Sequence, residues 1–175
     1  MLRNIASTVV LMVLSASAQA ALDIGEAAPD FATQAALGGK VYAFSLATSL
    51  RKGPVVLYFF PAAFSEACSV EAHEFAEAIP QFEALGASVV GVSADDIDTL
   101  SRFSVKACQS RFPVASDEPQ NVIKAYDAAL PTRPEYANRI SYVIAPDGRI
   151  VYHYMSLNPT KHVEKTLGAL REWKK

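Results

Sequence analysis

The sequence predicts an α/β fold in which a central mixed β-sheet is sandwiched by helices and followed by a C-terminal β-hairpin and a last helix. Residues 54–60 form an unbroken apolar and β-branched run, which is typical of a strand buried on both faces. Apolar residues at helical spacing follow over residues 65–85. Pro146-Asp147-Gly148 separates two late apolar runs, as in a hairpin.

The first segment, residues 1–20, has the features of a secretory signal peptide. Arg3 supplies the positive start, residues 5–14 are mostly apolar, and Ala18-Gln19-Ala20 fits a cleavage site before Ala21. A membrane anchor is the alternative, but the apolar run is about half of the ~20 residues that span a bilayer. We therefore expect an exported domain over residues 21–175, located in a bacterial periplasm and not inserted in a membrane after cleavage.

The charge of the chain indicates which kinds of macromolecule it binds. The chain has 175 residues with 16 Lys and Arg against 18 Asp and Glu, for a formal net charge of −2. This length fits one domain with its own core. The basic residues are scattered, so we expect neither nucleic acid nor an anionic membrane as a partner.

The elements follow in order from residue 21. Residues 21–40 are rich in Gly and Pro and predict an irregular arm. The central strand of residues 54–60 is closed by Pro61, and Pro80 is expected to kink or end the helix of residues 65–85 early.

The second half continues the alternation of strands and helices. Residues 87–92 predict a second buried strand, and Asp95-Asp96 opens a helix that runs to about Gln109. Residues 112–115 predict a short strand, and residues 118–126 predict a helix.

The C-terminal part contains the hairpin and the last helix. Residues 139–145 and 149–154 are the two predicted strands, and Thr160 is predicted to cap a helix that ends at about Trp173. The order β-α-β-α-β-α-β-β-α with an antiparallel ending is the thioredoxin-like arrangement.

Cys68 occupies a position where a thiol becomes reactive. Ser65 is a good N-cap, which puts Cys68 in the first turn of the helix after the central strand. Backbone N–H groups there have no intrahelical partner, and with the helix dipole they favour a thiolate. Helix N-termini lower the pKa of a cysteine below its usual ~8.5. The sequence therefore predicts a nucleophilic Cys68.

The residues around Cys68 resemble a known motif. Pro61, Ser65 and Cys68 match Pro-x-x-x-(Thr/Ser)-x-x-Cys of the peroxiredoxins. The chain is similar to the bacterioferritin-comigratory, or Q-type, branch over most of residues 21–175. The further matching residues are Gly25, Ala28-Pro29-Asp30-Phe31, Glu71, Phe75, Phe112-Pro113, Ser116-Asp117 and Arg139-Ile140-Ser141-Tyr142-Val143-Ile144.

The resemblance implies a role for each site residue. Cys68 would attack a peroxide oxygen and become a sulfenic acid. Arg139 would stabilise the thiolate and the developing negative charge. Ser65 would hydrogen-bond the peroxide, Pro61 would shield the sulfur from water, and Glu71 would orient Arg139.

Simpler interpretations of these residues stay open. Pro61 could end the strand and have no role in catalysis. Ser65 could cap the helix and have no contact with a substrate. Arg139 could be a surface charge, with Arg133 as its competitor.

The chain also departs from the family pattern. Ser65 stands where Thr is usual, and Glu66-Ala67 replaces the common Pro-Gly, so a carboxylate near the sulfur could slow peroxide turnover. His73 stands where many Q-type members have a second cysteine, and we interpret it as a surface or satisfied histidine.

Cys108 is the second cysteine, late in the helix that Asp95-Asp96 opens. The resemblance implies that it resolves the sulfenic acid as a Cys68–Cys108 disulfide, which a thioredoxin-like dithiol would reduce. Such a bond needs local unwinding at the start of the Cys68 helix. Cys108 could instead be a small buried apolar residue, or the pair could be a permanent disulfide.

Three other functions compete with a peroxidase. An exported thioredoxin-like disulfide oxidoreductase would need Cys-x-x-Cys, where this chain has Ser65-x-x-Cys68. A non-catalytic metal-binding protein would need closer ligands than the two cysteines and His73, His153 and His162 offer. An interaction protein on the same fold would have an unreactive Cys68. We expect no cofactor and no metal, and a monomer or weak dimer.

Overall fold

The computed structural model describes residues 21–175. The predicted signal peptide, residues 1–20, lies outside the described residues. No helix in the described part of the chain combines the length and the apolar character that crossing a membrane requires.

Nine strands and five helices form the described chain. The strands are β1 (Ala32–Leu37), β2 (Lys40–Ser45), β3 (Val55–Phe59), β4 (Ser88–Ser93), β5 (Val114–Ser116), β6 (Ala129–Leu130), β7 (Arg133–Ala137), β8 (Ile140–Ile144) and β9 (Ile150–Met155). The helices are α1 (Leu46–Leu50), α2 (Glu66–Ala84), α3 (Ile97–Lys106), α4 (Asn121–Ala125) and α5 (His162–Trp173), and a 3₁₀ turn (Pro159–Lys161) precedes α5.

Seven strands form one mixed sheet in the order β2-β1-β5-β4-β3-β8-β9, and β6 and β7 form a separate two-stranded sheet. The central strand, β3, runs parallel to β4 and antiparallel to β8. All five residues of β3 are buried, as predicted for a strand covered on both faces. The predicted class, a mixed sheet between helices with a final hairpin and helix, is confirmed.

The sheet separates two apolar cores because side chains alternate along β3. Val56 and Tyr58 face the core shared with α2, α3 and α5. Val55 and Leu57 face the core shared with α1 and α4. Cys68 and Cys108 both belong to the first core.

The prediction of an irregular arm over residues 21–40 was wrong in part. Residues 32–45 form the β1–β2 hairpin, and β1 also pairs with β5. Gly38 and Gly39 make the turn with φ of +56° and +81°, which a left-handed hairpin turn requires. The glycines that suggested a loop are thus the turn of an edge hairpin.

Of the two outcomes expected at Pro80, a kink or an early end of the helix, the early end does not occur, since α2 continues to Ala84. The last turn carries Phe82, which is fully buried and stacks on Phe75 at 5.9 Å between ring centroids. A proline inside a helix costs about 3 kcal/mol. Burial of a large apolar side chain contributes about 1.5–3 kcal/mol, and this offsets the lost hydrogen bond.

Two further predicted boundaries are corrected. The helix after β4 ends at Lys106, so Cys108 lies beyond it, before the left-handed residues Gln109 (φ 51°) and Ser110 (φ 58°). Thr160 is not the cap of the last helix. Asn158 caps the 3₁₀ turn before α5, since its Oδ1 accepts hydrogen bonds from the backbone N–H (3.1 Å) and the hydroxyl (3.0 Å) of Thr160, and α5 itself begins without a side-chain cap.

Candidate active site

Cys68 lies in the first turn of α2, directly after the central strand. Ser65 is the N-cap, and its Oγ accepts a hydrogen bond from the Cys68 backbone N–H at 3.4 Å. The cap and the first-turn position are as predicted. The Cys68 side chain is buried, with a relative exposure of 1%.

Asp95 fixes the short loop between β3 and α2. Its Oδ2 accepts hydrogen bonds from Ala63 N (2.7 Å) and Ser93 Oγ (2.8 Å). Phe64 in this loop has a left-handed φ of 63°, and its ring packs edge-on against Phe103 at 5.3 Å. Sequence reasoning assigned Asp95 to the start of the next helix and missed this contact.

Arg139 binds the sulfur of Cys68. It precedes β8 and is 3% exposed, and its Nη2 donates to Cys68 Sγ at 3.3 Å. Its Nη1 donates to Glu71 Oε2, and its Nε donates to the Leu157 carbonyl at 3.2 Å. The planar guanidinium thus donates three hydrogen bonds, and these hold it in place against the sulfur. A cation in contact with sulfur stabilises the thiolate.

Arg133, the competing arginine, lies on the exposed strand β7. It pairs with Glu135 at 3.1 Å and lies over the Tyr136 ring. The fold therefore brings Arg139, and not Arg133, to Cys68.

Glu71 lies one helical turn after Cys68 and is fully buried. Its Oε2 accepts the hydrogen bond from Arg139, whereas its Oε1 has no hydrogen-bond partner among the described residues. Burial raises the pKa of the Glu71 carboxyl to about 8, against the lowering effect of the Arg139 guanidinium.

His162, the first residue of α5, packs against Glu71 from the other side. Its Nδ1 lies 3.6 Å from Glu71 Oε1 and 2.8 Å from Ser141 Oγ. Its Nε2 lies 2.9 Å from the Ser156 carbonyl oxygen. Burial lowers the pKa of His162 to about 4. Sequence reasoning considered His162 only as a metal ligand, because Ser141 and Glu71 are far from it along the chain.

The remaining motif residues lie in the loop after β3 and the first turn of α2. Ser65 is exposed, and its hydroxyl donates to the Ala62 carbonyl at 3.1 Å while it caps α2. Pro61 is half-buried, directly after the last buried residue of the strand region, Phe60. Glu66 is exposed in the first turn of α2.

Cys108 is fully buried, and both cysteines are free. Burial raises the pKa of the Cys108 thiol well above its usual range. The next residue, Gln109, anchors this segment to α2: its Nε2 lies 2.7 Å from His73 Nδ1 and donates to Glu77 Oε1 at 3.1 Å. The interpretation of His73 as a surface, satisfied histidine is confirmed.

An open groove separates the two cysteine-bearing segments at the surface. It has a volume of about 510 Å³. Its lining residues are Phe64, Ser69, Val70, His73, Glu74, Lys106 and Ala107. Ser69 follows Cys68 and Ala107 precedes Cys108, so the groove opens between the two segments.

Metal-ion chemistry was the competing function for the cysteines and histidines. Over residues 21–175, no group of three or more His, Cys, Asp or Glu side chains is arranged to hold a metal ion.

Comparison with known families gives one match to a family model: AhpC/TSA family, over residues 24–153. The chloroplastic peroxiredoxin Q of Oryza sativa subsp. japonica is 32% identical over 149 residues, which are 84% of this chain and 66% of the relative. The chain thus spans slightly less than two thirds of that relative's length. A putative peroxiredoxin bcp of Helicobacter pylori is 29% identical over 154 residues, covering 85% of this chain and 98% of the relative.

Solved structures agree with these sequence matches. Peroxidoxin BcpB from Mycobacterium tuberculosis superposes with a TM-score of 0.77 and 27% identity, covering 85% of this chain and 96% of that one. A cysteine-to-serine mutant of PrxQ from Xylella fastidiosa superposes with a TM-score of 0.78 and 27% identity, covering 88% and 98%.

Proposed function

The chain belongs to the AhpC/TSA family, and we propose that it is a thiol peroxidase of the peroxiredoxin Q and Bcp type in which Cys68 reduces hydrogen peroxide or organic hydroperoxides. One observation carries the proposal. The buried Cys68 sulfur accepts a hydrogen bond from the Arg139 guanidinium at 3.3 Å. This contact places a fixed positive charge where negative charge develops when the sulfur attacks a peroxide.

The chemical step is a two-electron transfer from sulfur to peroxide. The Cys68 thiolate donates an electron pair to one peroxide oxygen, and the O–O bond breaks. The leaving oxygen departs with the electron pair of that bond and takes a proton from water, giving water or an alcohol. Cys68 is oxidised to a sulfenic acid.

The neighbouring residues contribute charge, orientation and shielding. Arg139 stabilises the negative charge that develops on the oxygens, where a fixed donor is most effective. The exposed Ser65 hydroxyl, which accepts from the Cys68 backbone N–H and donates to the Ala62 carbonyl, could turn to donate to a bound peroxide. Pro61, half-buried at the end of the central strand, would shield the sulfur from water, and Glu71 holds Arg139 in place through its hydrogen bond.

In the second half of the cycle, Cys108 condenses with the Cys68 sulfenic acid and releases water. A thioredoxin-like dithiol then reduces the disulfide by exchange. Because burial raises the pKa of the Cys108 thiol and so disfavours its thiolate, we propose that the segment that follows α3 opens before Cys108 attacks. The left-handed residues Gln109 and Ser110 and the adjoining groove support an opening at this point.

Stopped-flow oxidation of the reduced protein by hydrogen peroxide tests the proposal. The wild type is expected to show a rapid first phase of Cys68 oxidation, and Cys68→Ser is expected not to react. Slow oxidation of the wild type, or equal oxidation of both proteins, would refute the peroxidase function. Reduction of insulin disulfides by the same preparation would favour a disulfide oxidoreductase instead.

Export and assembly belong to the same proposal. We propose cleavage before Ala21, export to a periplasm, and a monomer or weak dimer. Mass spectrometry of periplasmic and cytoplasmic fractions would detect the processed N-terminus, and sedimentation would give the mass in solution. Unprocessed protein confined to the cytoplasm would contradict the export proposal.

A further inference from the structure

Four ionisable side chains lie in series beneath the surface, and only one has a permanent charge. Cys68, Arg139, Glu71 and His162 are each at most 3% exposed. The contacts run from Cys68 Sγ to Arg139, from Arg139 to Glu71, and from Glu71 to His162. If Cys68 is a thiolate and Glu71 a carboxylate, two buried anions share one guanidinium. A buried charge without a counter-charge is unfavourable.

The Glu71 carboxyl has an oxygen that lacks a donor. Its Oε2 is bound by Arg139, and its Oε1 has no hydrogen-bond partner in the described chain. A buried carboxylate oxygen without a partner loses its hydration and gains nothing in return. The group that faces Oε1 is His162 Nδ1, at 3.6 Å. A proton on Glu71 Oε1 would neutralise the carboxylate, and a proton on His162 Nδ1 would place a cation beside it.

The hydrogen bonds of His162 assign its tautomer. Its Nε2 lies 2.9 Å from the Ser156 carbonyl oxygen, which can only accept, so Nε2 carries a hydrogen. In the neutral ring Nδ1 is therefore the acceptor, 2.8 Å from the Ser141 hydroxyl. Nδ1 is also the only ring atom that can gain a proton, and it is the atom that faces Glu71.

We propose that Glu71 and His162 hold one proton between them, on Glu71 Oε1 or on His162 Nδ1, and that His162 thereby acts as a positioning residue that keeps the Arg139 guanidinium available to the Cys68 thiolate. The inference rests on the proposed peroxidase function. With the proton on Glu71, the positive charge of Arg139 neutralises only the negative charge of the Cys68 thiolate. With the proton on His162, two cations balance two anions. In both arrangements the buried cluster is neutral.

The surroundings favour one proton on the pair. Burial raises the pKa of Glu71 to about 8 and lowers the pKa of His162 to about 4. Between these values the pair holds a single proton, and the apparent pKa belongs to the pair. The other ionisable groups around the pair are Cys68 and Glu74 from α2, Tyr58 from β3, Arg139 before β8, and Tyr154 from β9.

Loss of the shared proton adds a negative charge beside the sulfur. Arg139 then interacts with two anions, the Glu71 carboxylate and the Cys68 thiolate. Its positive charge is therefore less effective in stabilising the thiolate and the leaving oxygen. The rate of Cys68 oxidation is therefore expected to fall above about pH 8, approaching tenfold per pH unit for a single ionisation. A thiol peroxidase without this pair would reach a plateau once its thiolate has formed.

The test is the pH profile of stopped-flow oxidation by hydrogen peroxide in the wild type, Glu71→Gln and His162→Asn. Glu71→Gln keeps an acceptor for Arg139 but cannot ionise, so the alkaline fall should disappear. His162→Asn keeps a polar atom near the Nδ1 position but cannot take a proton, so the fall should move to lower pH by about one unit. His153→Asn is the matched control on β9 and should retain the wild-type profile.

The outcomes separate this inference from the proposed function. An unchanged alkaline fall in His162→Asn would overturn the shared proton and leave the peroxidase intact. The same holds for a rapid wild-type reaction that stays constant between pH 8 and 9.5. Absence of rapid, Cys68-dependent oxidation at any pH would refute the function itself.

A measurement on the wild type protects the test against a variant that does not fold. In ¹⁵N NMR of histidine-labelled protein, the chemical shift of His162 Nδ1 should change between pH 7 and 9. The midpoint of this change should equal the midpoint of the fall in oxidation rate, and Nε2 should stay protonated throughout. A constant Nδ1 shift over this range would overturn the proposal.

Discussion

The Arg139 guanidinium meets the Cys68 sulfur at 3.3 Å across a sequence separation of 71 residues. The two residues come from different elements: Cys68 from the first turn of α2, and Arg139 from the residue before β8. Because β3 leads into α2 and pairs with β8, the central strand aligns both at one end of the sheet. The contact is therefore as rigid as the sheet that positions it.

Arg139→Lys is expected to slow peroxide oxidation of Cys68 by about 10²-fold, in the range for loss of a fixed donor at a developing charge. A lysine ammonium cannot contact Cys68, Glu71 and the Leu157 carbonyl together. Stopped-flow kinetics would measure the rate. Arg133→Lys is the control on the exposed strand β7 and should react like the wild type; equal rates in both variants would contradict the role of Arg139.

Cys108→Ser is expected to react with peroxide at the wild-type rate but to accumulate sulfenic acid, because no thiol is left in the chain to condense with it. Mass spectrometry after dimedone trapping would detect the adduct in the variant and an intramolecular disulfide in the wild type. Normal turnover of Cys108→Ser with a dithiol reductant would show that Cys108 is not the resolving residue.

Gln109→Ala is expected to accelerate disulfide formation several-fold while the peroxide step stays unchanged. The substitution removes the contacts to His73 and Glu77 that anchor the Cys108 segment to α2. Hydrogen bonds of this kind contribute about 0.5–1.5 kcal/mol each, so the open form becomes more populated.

The second phase of Tyr and Trp fluorescence after a peroxide pulse would follow this step. Gln81→Ala, at an exposed glutamine on α2 that contacts neither His73 nor Glu77, is the matched control. A resolution rate equal to that of the control would mean that the Gln109 contacts do not restrain the segment.

Stability should decrease as the pH rises from about 6.5 to about 8. In this window the unfolded chain has neutral His162 and ionised Glu71, whereas the folded pair still holds one proton. The folded state then binds more protons than the unfolded state, so the free energy of unfolding falls with pH, by about 2 kcal/mol in total.

Urea titrations between pH 5 and 9 would measure this decrease. From about pH 4.5 to 6.5 both states hold one proton on the pair, so its contribution should be constant. Glu71→Gln should abolish the decrease between pH 6.5 and 8, because the glutamine does not ionise in either state. An equal decrease in the wild type and in Glu71→Gln would assign it to other groups.

Local features of the chain were predictable because interactions between residues close together in the sequence determine them. The apolar run of β3, the N-cap Ser65 and the first-turn position of Cys68 follow from residues next to one another. Predictions failed where distant contacts override a local preference. Core burial of Phe82 carries α2 past Pro80, and β1 became a strand because β2 and β5 offer it hydrogen-bond partners.

The sequence by itself determined that a cysteine opens a helix after a buried strand, and which motif surrounds it. Only the tertiary structure decided which arginine reaches that cysteine, that Glu71 lies between Arg139 and His162, and that Cys108 is buried beyond the end of its helix. The physical reason is that helix caps and strand patterns are satisfied within a few residues. A buried charge, by contrast, is stabilised by whichever partner the packed fold brings to it, and that partner can come from anywhere in the chain.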